Sequence, residues 1–107
     1  MSKSDVVIIG NGVAGLMAAL VSADEGKKVT LLSYGAGTFP LNSGVIDILG
    51  YDEQGKAVNS PITGIDQVPD SHPYKKIGMA AIEDAIKYFK KTVADEGFAY
   101  TGSLKEQ

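Results

Sequence analysis

The chain has 107 residues, no cysteine and a formal net charge of −3, from ten basic and 13 acidic side chains. That is the length of one ordinary domain with a modest core, and 44% hydrophobic with 21% charged residues disfavours disorder, collagen and coiled coil. Without cysteine the segment offers no disulfide, thiolate zinc site, redox pair or iron–sulfur ligand, and its lysines are too scattered for the electrostatic footprint of a nucleic-acid binder.

Asp5-Val6-Val7-Ile8-Ile9 is a continuous β-branched run, the pattern of a strand buried on both faces of a parallel sheet. A strand that begins so early leaves no room for a secretory leader. The longest apolar stretch, Gly12 to Ala23, is far short of the roughly 20 residues that span a bilayer. A cytoplasmic location is expected, with contact to the inner face of a membrane only through a partner.

Gly10-Asn11-Gly12-Val13-Ala14-Gly15 matches G-x-G-x-x-G. Alone that pattern is weak, but here it follows a strand and opens a helix. In that setting the first glycine permits a tight turn, the second lets the backbone approach a pyrophosphate, and the third lets helix and strand pack closely. The free N–H groups at the start of the helix supply the rest of an anion site, so no basic side chain is required. The competing explanation is a glycine-rich turn without a ligand, which accounts poorly for three glycines that each cost backbone entropy.

The helix is expected from Val13 to Glu25, where Ala, Leu and Met predominate, with Gly26 as its stop and Lys27 and Lys28 near its negative end. Val29-Thr30-Leu31-Leu32 reads as a second buried strand, closing a βαβ unit of about 30 residues. The expected class is therefore α/β, a Rossmann-like FAD/NAD(P)-binding βαβ unit with an added β-hairpin and amphipathic helix, on an incomplete parallel sheet. An acidic residue normally ends the second strand and bonds the ribose of the nucleotide. Ser33 stands there instead, able to make only a weaker bond.

Ser33 to Gly44 is rich in Gly and Ser with one Pro and reads as a loop at the carboxyl end of the sheet, where ligands sit. Asn42, Ser43 and Gly44 could pass a bound ring from this loop, or could be an ordinary turn into a hairpin. Val45 to Leu49 has the composition of a strand, Asp52-Glu53-Gln54-Gly55 that of a turn, and Lys56 to Val58 that of a short return strand. Alternation turns Asp47 away from Ile46 and Ile48, toward solvent. Residues 36–74 then form a loop and hairpin insertion within 1–107, which reads as the N-terminal part of a dinucleotide-binding domain. Asn59 to Pro73 reads as mostly irregular, with one helical turn around Gly64 to Val68. His72, the only histidine, lacks an oriented partner for proton transfer, and Pro73 and Tyr74 beside it favour a structural turn.

From Ile77 the apolar positions Ala81, Ile82, Ala85, Ile86, Phe89 and Val93 recur at helical spacing while Lys87, Lys90, Lys91 and Asp95 fall elsewhere, which predicts an amphipathic helix ending at Gly97. Phe98-Ala99-Tyr100 then resumes an extended path. Tyr88, Phe89 and the other aromatics read as packing residues.

The run Val13 to Ala19 after Gly12 is similar to the opening of flavin-dependent oxidoreductases. Asn42-Ser43-Gly44-Val45-Ile46-Asp47-Ile48-Leu49, His72-Pro73-Tyr74 and Ile77-Gly78 resemble the B-type subunit of anaerobic glycerol-3-phosphate dehydrogenases. The resemblance covers nearly all of the chain, and because that family's proteins are several times longer it implies an N-terminal portion. It implies FAD or FMN as cofactor and oxidation of glycerol 3-phosphate to dihydroxyacetone phosphate. It also implies partner subunits, including a membrane-anchored iron–sulfur subunit that passes electrons to quinone.

The cofactor-binding residues expected are Gly10, Asn11, Gly12, Val13, Ala14, Gly15, Ser33, Asn42, Ser43 and Gly44. No metal ligands and no catalytic residues are expected in this segment. Two other readings stay open: an NAD(P)-dependent dehydrogenase, and a non-enzymatic assembly module in which the βαβ unit binds a partner and no nucleotide. Two strands with open edges also predict that the isolated segment forms a homo-oligomer or is weakly stable, and holds flavin poorly.

Overall fold

Two β-branched runs pair where their spacing places them. In the computed structural model, which describes residues 3–105, strands β1 (Val6–Ile9) and β2 (Val29–Leu32) form a two-stranded parallel sheet, in register from Val6 opposite Val29 to Ile9 opposite Leu32. The polar start of the sheet is fastened from both sides. The Asp5 N–H donates to the Lys28 carbonyl at 2.8 Å, the Lys28 N–H donates to Asp5 Oδ2 at 2.8 Å, and the Ser4 and Thr30 hydroxyls are hydrogen-bonded to each other.

Helix α1 (Val13–Asp24) joins the strands. Its Ala- and Leu-rich sequence favours helix, and its end is set by Gly26, whose φ of +82° suits only glycine readily. There the Gly26 N–H reaches the Ala23 carbonyl at 3.0 Å and the Lys27 N–H reaches Ser22 at 3.1 Å, the paired bonds of a Schellman stop. After β2 the loop contains a 3-10 turn, Phe39–Leu41.

The chain divides into two units between Val45 and Ile46. The second unit is helical: α2 (Pro61–Gln67), α3 (Pro73–Ile77) and α4 (Met79–Asp95). Its core gathers Ile65 at 2% exposure with Ile82 and Leu104, flanked by Ile48, Leu49, Ile62, Tyr74, Met79 and Ile86. Gly64 is a packing glycine, because a Cβ there would lie 2.6 Å from Val58 Cγ1 and 2.9 Å from Leu49 Cδ2. Leu104 is tied in through its carbonyl, which accepts from the Ile62 N–H at 2.9 Å. Helix α4 ends in a second Schellman stop, with the Gly97 N–H on Ala94 at 3.0 Å and the Phe98 N–H on Val93 at 2.9 Å.

Three expectations are corrected here. Val45 to Leu49 is not a strand. The turn that follows it closes too tightly, with Asp52 Oδ1 accepting from Gln54 N–H at 2.9 Å and Lys56 N–H at 2.8 Å, so the pairing reaches only a Tyr51–Ala57 bridge and one bond from Val58 N–H to Gly50. Leu49, at φ +49°, then ends any extension. The amphipathic helix does not begin at Ile77, which closes α3 instead; Gly78 at φ +90° breaks the path before α4 starts at Met79. Asn59 to Pro73 is not mostly irregular, since α2 occupies Pro61–Gln67 and α3 begins at Pro73. Phe98 to Tyr100 joins no strand among the described residues; Tyr100 meets Phe89 edge-on, ring centroids 5.2 Å apart.

Candidate functional site

The three glycines of the first turn have different work to do. Gly10 continues the ladder, its N–H donating to the Leu32 carbonyl at 2.8 Å, and takes φ +110°, where a side chain would be strained. Gly15 has no room: a Cβ would sit 2.0 Å from the Gly10 oxygen and 3.4 Å from Ile8 Cγ2, so the missing side chain is what lets α1 approach β1. Gly12 lies in ordinary extended backbone, and a Cβ there would meet only Thr38 Oγ1, at 3.4 Å. The fold does not require glycine at 12; a ligand drawn against that backbone would.

Gly12 is also the N-cap of α1, and no side chain caps the helix. The first intrahelical bond runs from the Leu16 N–H to the Gly12 carbonyl at 3.0 Å. The N–H groups of Val13, Ala14 and Gly15, in the first turn, have no carbonyl one turn earlier in the helix to bond, and they stand at the positive end of its dipole. A pyrophosphate fits these features: a backbone at Gly12 without a side chain, uncapped donors and a favourable field.

The loop after β2 folds onto this turn. Asn11 Nδ2 donates to the Gly35 carbonyl at 3.3 Å, and Gly37, at φ +76°, is nested so closely that a Cβ would fall 2.7 Å from Asn11 Oδ1 and 2.8 Å from the Asn11 carbonyl oxygen. Gly35, Gly37 and Thr38 were not singled out by sequence reasoning. Their signal was the alternating glycines of Gly35-Ala36-Gly37: both take positive φ, and Gly37 in addition has no room for a side chain. Ser33 follows Leu32, the partner of Ile9, whose carbonyl accepts from the Gly10 N–H, so it lies just past the carboxyl end of β2.

Asn42, Ser43 and Gly44 are exposed and bonded locally. The Gly44 N–H donates to Asn42 Oδ1 at 3.1 Å and the Val45 N–H to Ser43 Oγ at 3.4 Å, which leaves the Ser43 hydroxyl proton as a donor. His72 caps α3: its Nδ1 accepts the Tyr74 N–H at 3.1 Å, with Pro73 at the first helical position. Among the described residues no cluster of His, Cys, Asp or Glu could hold a metal ion, and no helix is long and apolar enough to cross a membrane. A cavity of about 300 Å³ in the second unit, lined by Asp52, Lys56, Thr63 and Gln67 among others, contains none of the expected cofactor-binding residues.

Strand, glycine turn, uncapped helix start and a loop nested on the turn define an α/β nucleotide-phosphate-binding segment. The family described as FAD binding domain matches residues 5–106. The chain belongs to that family, and FAD is the cofactor its fold serves. It is 40% identical over 88 residues to a probable B-type subunit of anaerobic glycerol-3-phosphate dehydrogenase from Halobacterium salinarum, covering 81% of this chain and 21% of that protein. It is 40% identical over 97 residues to the B-type subunit of the anaerobic glycerol-3-phosphate dehydrogenase of Vibrio cholerae, covering 87% and 22%, and 30% identical over 107 residues to that of Pectobacterium carotovorum, covering 97% and 26%. The chain thus spans between a fifth and about a quarter of the length of these curated relatives. No solved structure matches it.

Proposed function

We propose that this chain is the Rossmann-like opening portion of the flavin domain in a B-type subunit of a glycerol-3-phosphate dehydrogenase. The observation that carries the reading is the division of labour among the glycines: Gly10 and Gly15 are required by the fold, whereas Gly12 is explained by a ligand. The likeness to proteins named as B-type subunits supports the choice of enzyme.

In this reading the N–H groups of Gly12, Val13 and Ala14 hold the FAD pyrophosphate, and Asn11 fixes the neighbouring loop rather than touching phosphate. Ser33 offers its hydroxyl to the adenosine ribose, and Ser43, from the Asn42–Gly44 turn, offers its hydroxyl proton to the flavin. FAD, when bound, supplies the acceptor for the two electrons and proton taken from the C2 carbinol of glycerol 3-phosphate. The residues that bind that substrate and remove its hydroxyl proton belong to other parts of the enzyme. Electrons leave through further subunits, among them a membrane-anchored iron–sulfur subunit that holds the assembly at the cytoplasmic face.

Titration of the chain with FAD, followed by its unfolding midpoint, tests the reading. A ligand that binds only the folded form must raise the midpoint. Gly12→Val should abolish the rise while leaving the helical signal unchanged. Equal FAD affinity in variant and parent would falsify the placement of the pyrophosphate. Unchanged stability with FAD, FMN and NAD alike would favour the assembly module.

A further inference from the structure

We infer that Tyr34 recognises the adenine of FAD by stacking, and so replaces the ribose-binding carboxylate that the end of β2 lacks. The inference rests on the FAD site proposed above and adds a specificity residue to it. Dinucleotide sites of this architecture anchor the adenosine half with an acidic side chain at the end of the second strand. Ser33 holds that place and can give one neutral bond, without the charge-assisted pair that a carboxylate makes. Something else must hold the base end of the ligand if FAD is to bind better than FMN.

Tyr34 is the next residue, and its side chain is fully exposed. Elsewhere Phe89 meets Tyr100 and His72 meets Tyr74, each pair with centroids 5.2 Å apart, and Phe39, Tyr51 and Phe98 are part-covered, at 48%, 68% and 67% exposure. A tyrosine ring is a large apolar surface that is ordinarily at least partly covered. Leaving one wholly in water beside a nucleotide site is accounted for by a flat π partner that arrives with the ligand.

The backbone that carries the ring is held on both sides. Leu32, just before Ser33, is held by the bond from the Gly10 N–H to its carbonyl at 2.8 Å, and Gly35 by the bond from Asn11 Nδ2 at 3.3 Å, with Gly37 nested on Asn11 just beyond. Tyr34 therefore lies between Leu32 and Gly35, both bonded to the glycine turn, and its two side-chain torsions set where the ring stands. Stacking needs no hydrogen bond to the base, so the phenol hydroxyl is dispensable and the ring is not.

The test measures dissociation constants of the whole chain for FAD, FMN and AMP, in the parent, Tyr34→Phe, Tyr34→Trp, Tyr34→Ala and Gly12→Val. Tyr34→Ala should weaken FAD and AMP roughly tenfold and leave FMN unchanged, while the Phe and Trp variants keep the parent's affinities. Because the side chain is exposed, far-ultraviolet circular dichroism should be identical in all Tyr34 variants. If Tyr34→Ala binds FAD like the parent while Gly12→Val does not, the stacking role is overturned and the phosphate turn stands. If Tyr34→Ala loses FMN as much as FAD, or Tyr34→Phe fails like Tyr34→Ala, stacking on adenine is likewise overturned. If the parent binds no FAD even at millimolar concentration, the FAD site and this inference fall together.

Discussion

The two units of the chain divide burial and binding between them. Among the described residues the first unit has no buried side chain, and helix α1 presents none to a core. The second buries Pro61, Gly64, Ile65, Val68, Ile82 and Leu104. Yet the turn proposed for pyrophosphate lies in the first. Its sheet has two strands and one covering helix, so Ile9 is 85% exposed and Val7, Leu20 and Leu32 are also open. The second unit is held by its own side chains; the first, which carries the proposed phosphate turn, has open faces and edges of the kind that other groups cover.

That contrast can be broken or sharpened by substitution. Ile65→Ala, which empties the core of the second unit, should cost about 4 kcal/mol in urea unfolding followed through the near-ultraviolet signal of the Phe89–Tyr100 pair. A cost near zero would show that this core does not support its unit. Gly15→Ala, which drives a Cβ toward the Gly10 oxygen at 2.0 Å, should cost about 3 kcal/mol and remove FAD binding. Amide exchange would locate that loss in β1, α1 and β2, and protection retained there would refute the packing argument.

Saturating FAD, at about a hundredfold over its dissociation constant, should return about 2.7 kcal/mol to the parent. Calorimetry should find none of this in Gly12→Val. Ser33→Glu should tighten FAD by about 1.5 kcal/mol through charged bonds to the ribose and leave FMN unaffected; weaker FAD binding would misplace the end of β2. The smallest effect expected is His72→Ala, about 1 kcal/mol from loss of the α3 cap. It should appear in thermal unfolding and leave FAD affinity untouched.

The βαβ unit was legible because its signals are local and agree: β2 falls on Val29–Leu32 as expected, and β1 and α1 differ from expectation by one residue at one end. The glycine turn was legible for the same reason. What the sequence hid depends on partners distant in the chain. Val45 to Leu49 has strand composition, but the Asp52 side chain draws the return segment into a tight turn and leaves that run no ladder to join. Helix α3 is too short for a periodic signal and exists through its ends, His72 and Pro73 at one and Gly78 at the other. The nesting of Gly37 on Asn11 joins positions 26 apart and could not be seen from spacing alone.

The bond from Gly10 to Leu32 has a consequence in time. Because the sheet's own hydrogen bonding runs on into the glycine turn, the donors proposed for phosphate are set before any ligand arrives. Arrival of FAD then requires no rearrangement of backbone at the turn, and its rate should be nearly the same across substitutions that spare Gly10, Gly12 and Gly15. Differences in affinity among such variants should be read in how long the cofactor stays. A stopped-flow comparison would show nearly constant association beside widely spread dissociation.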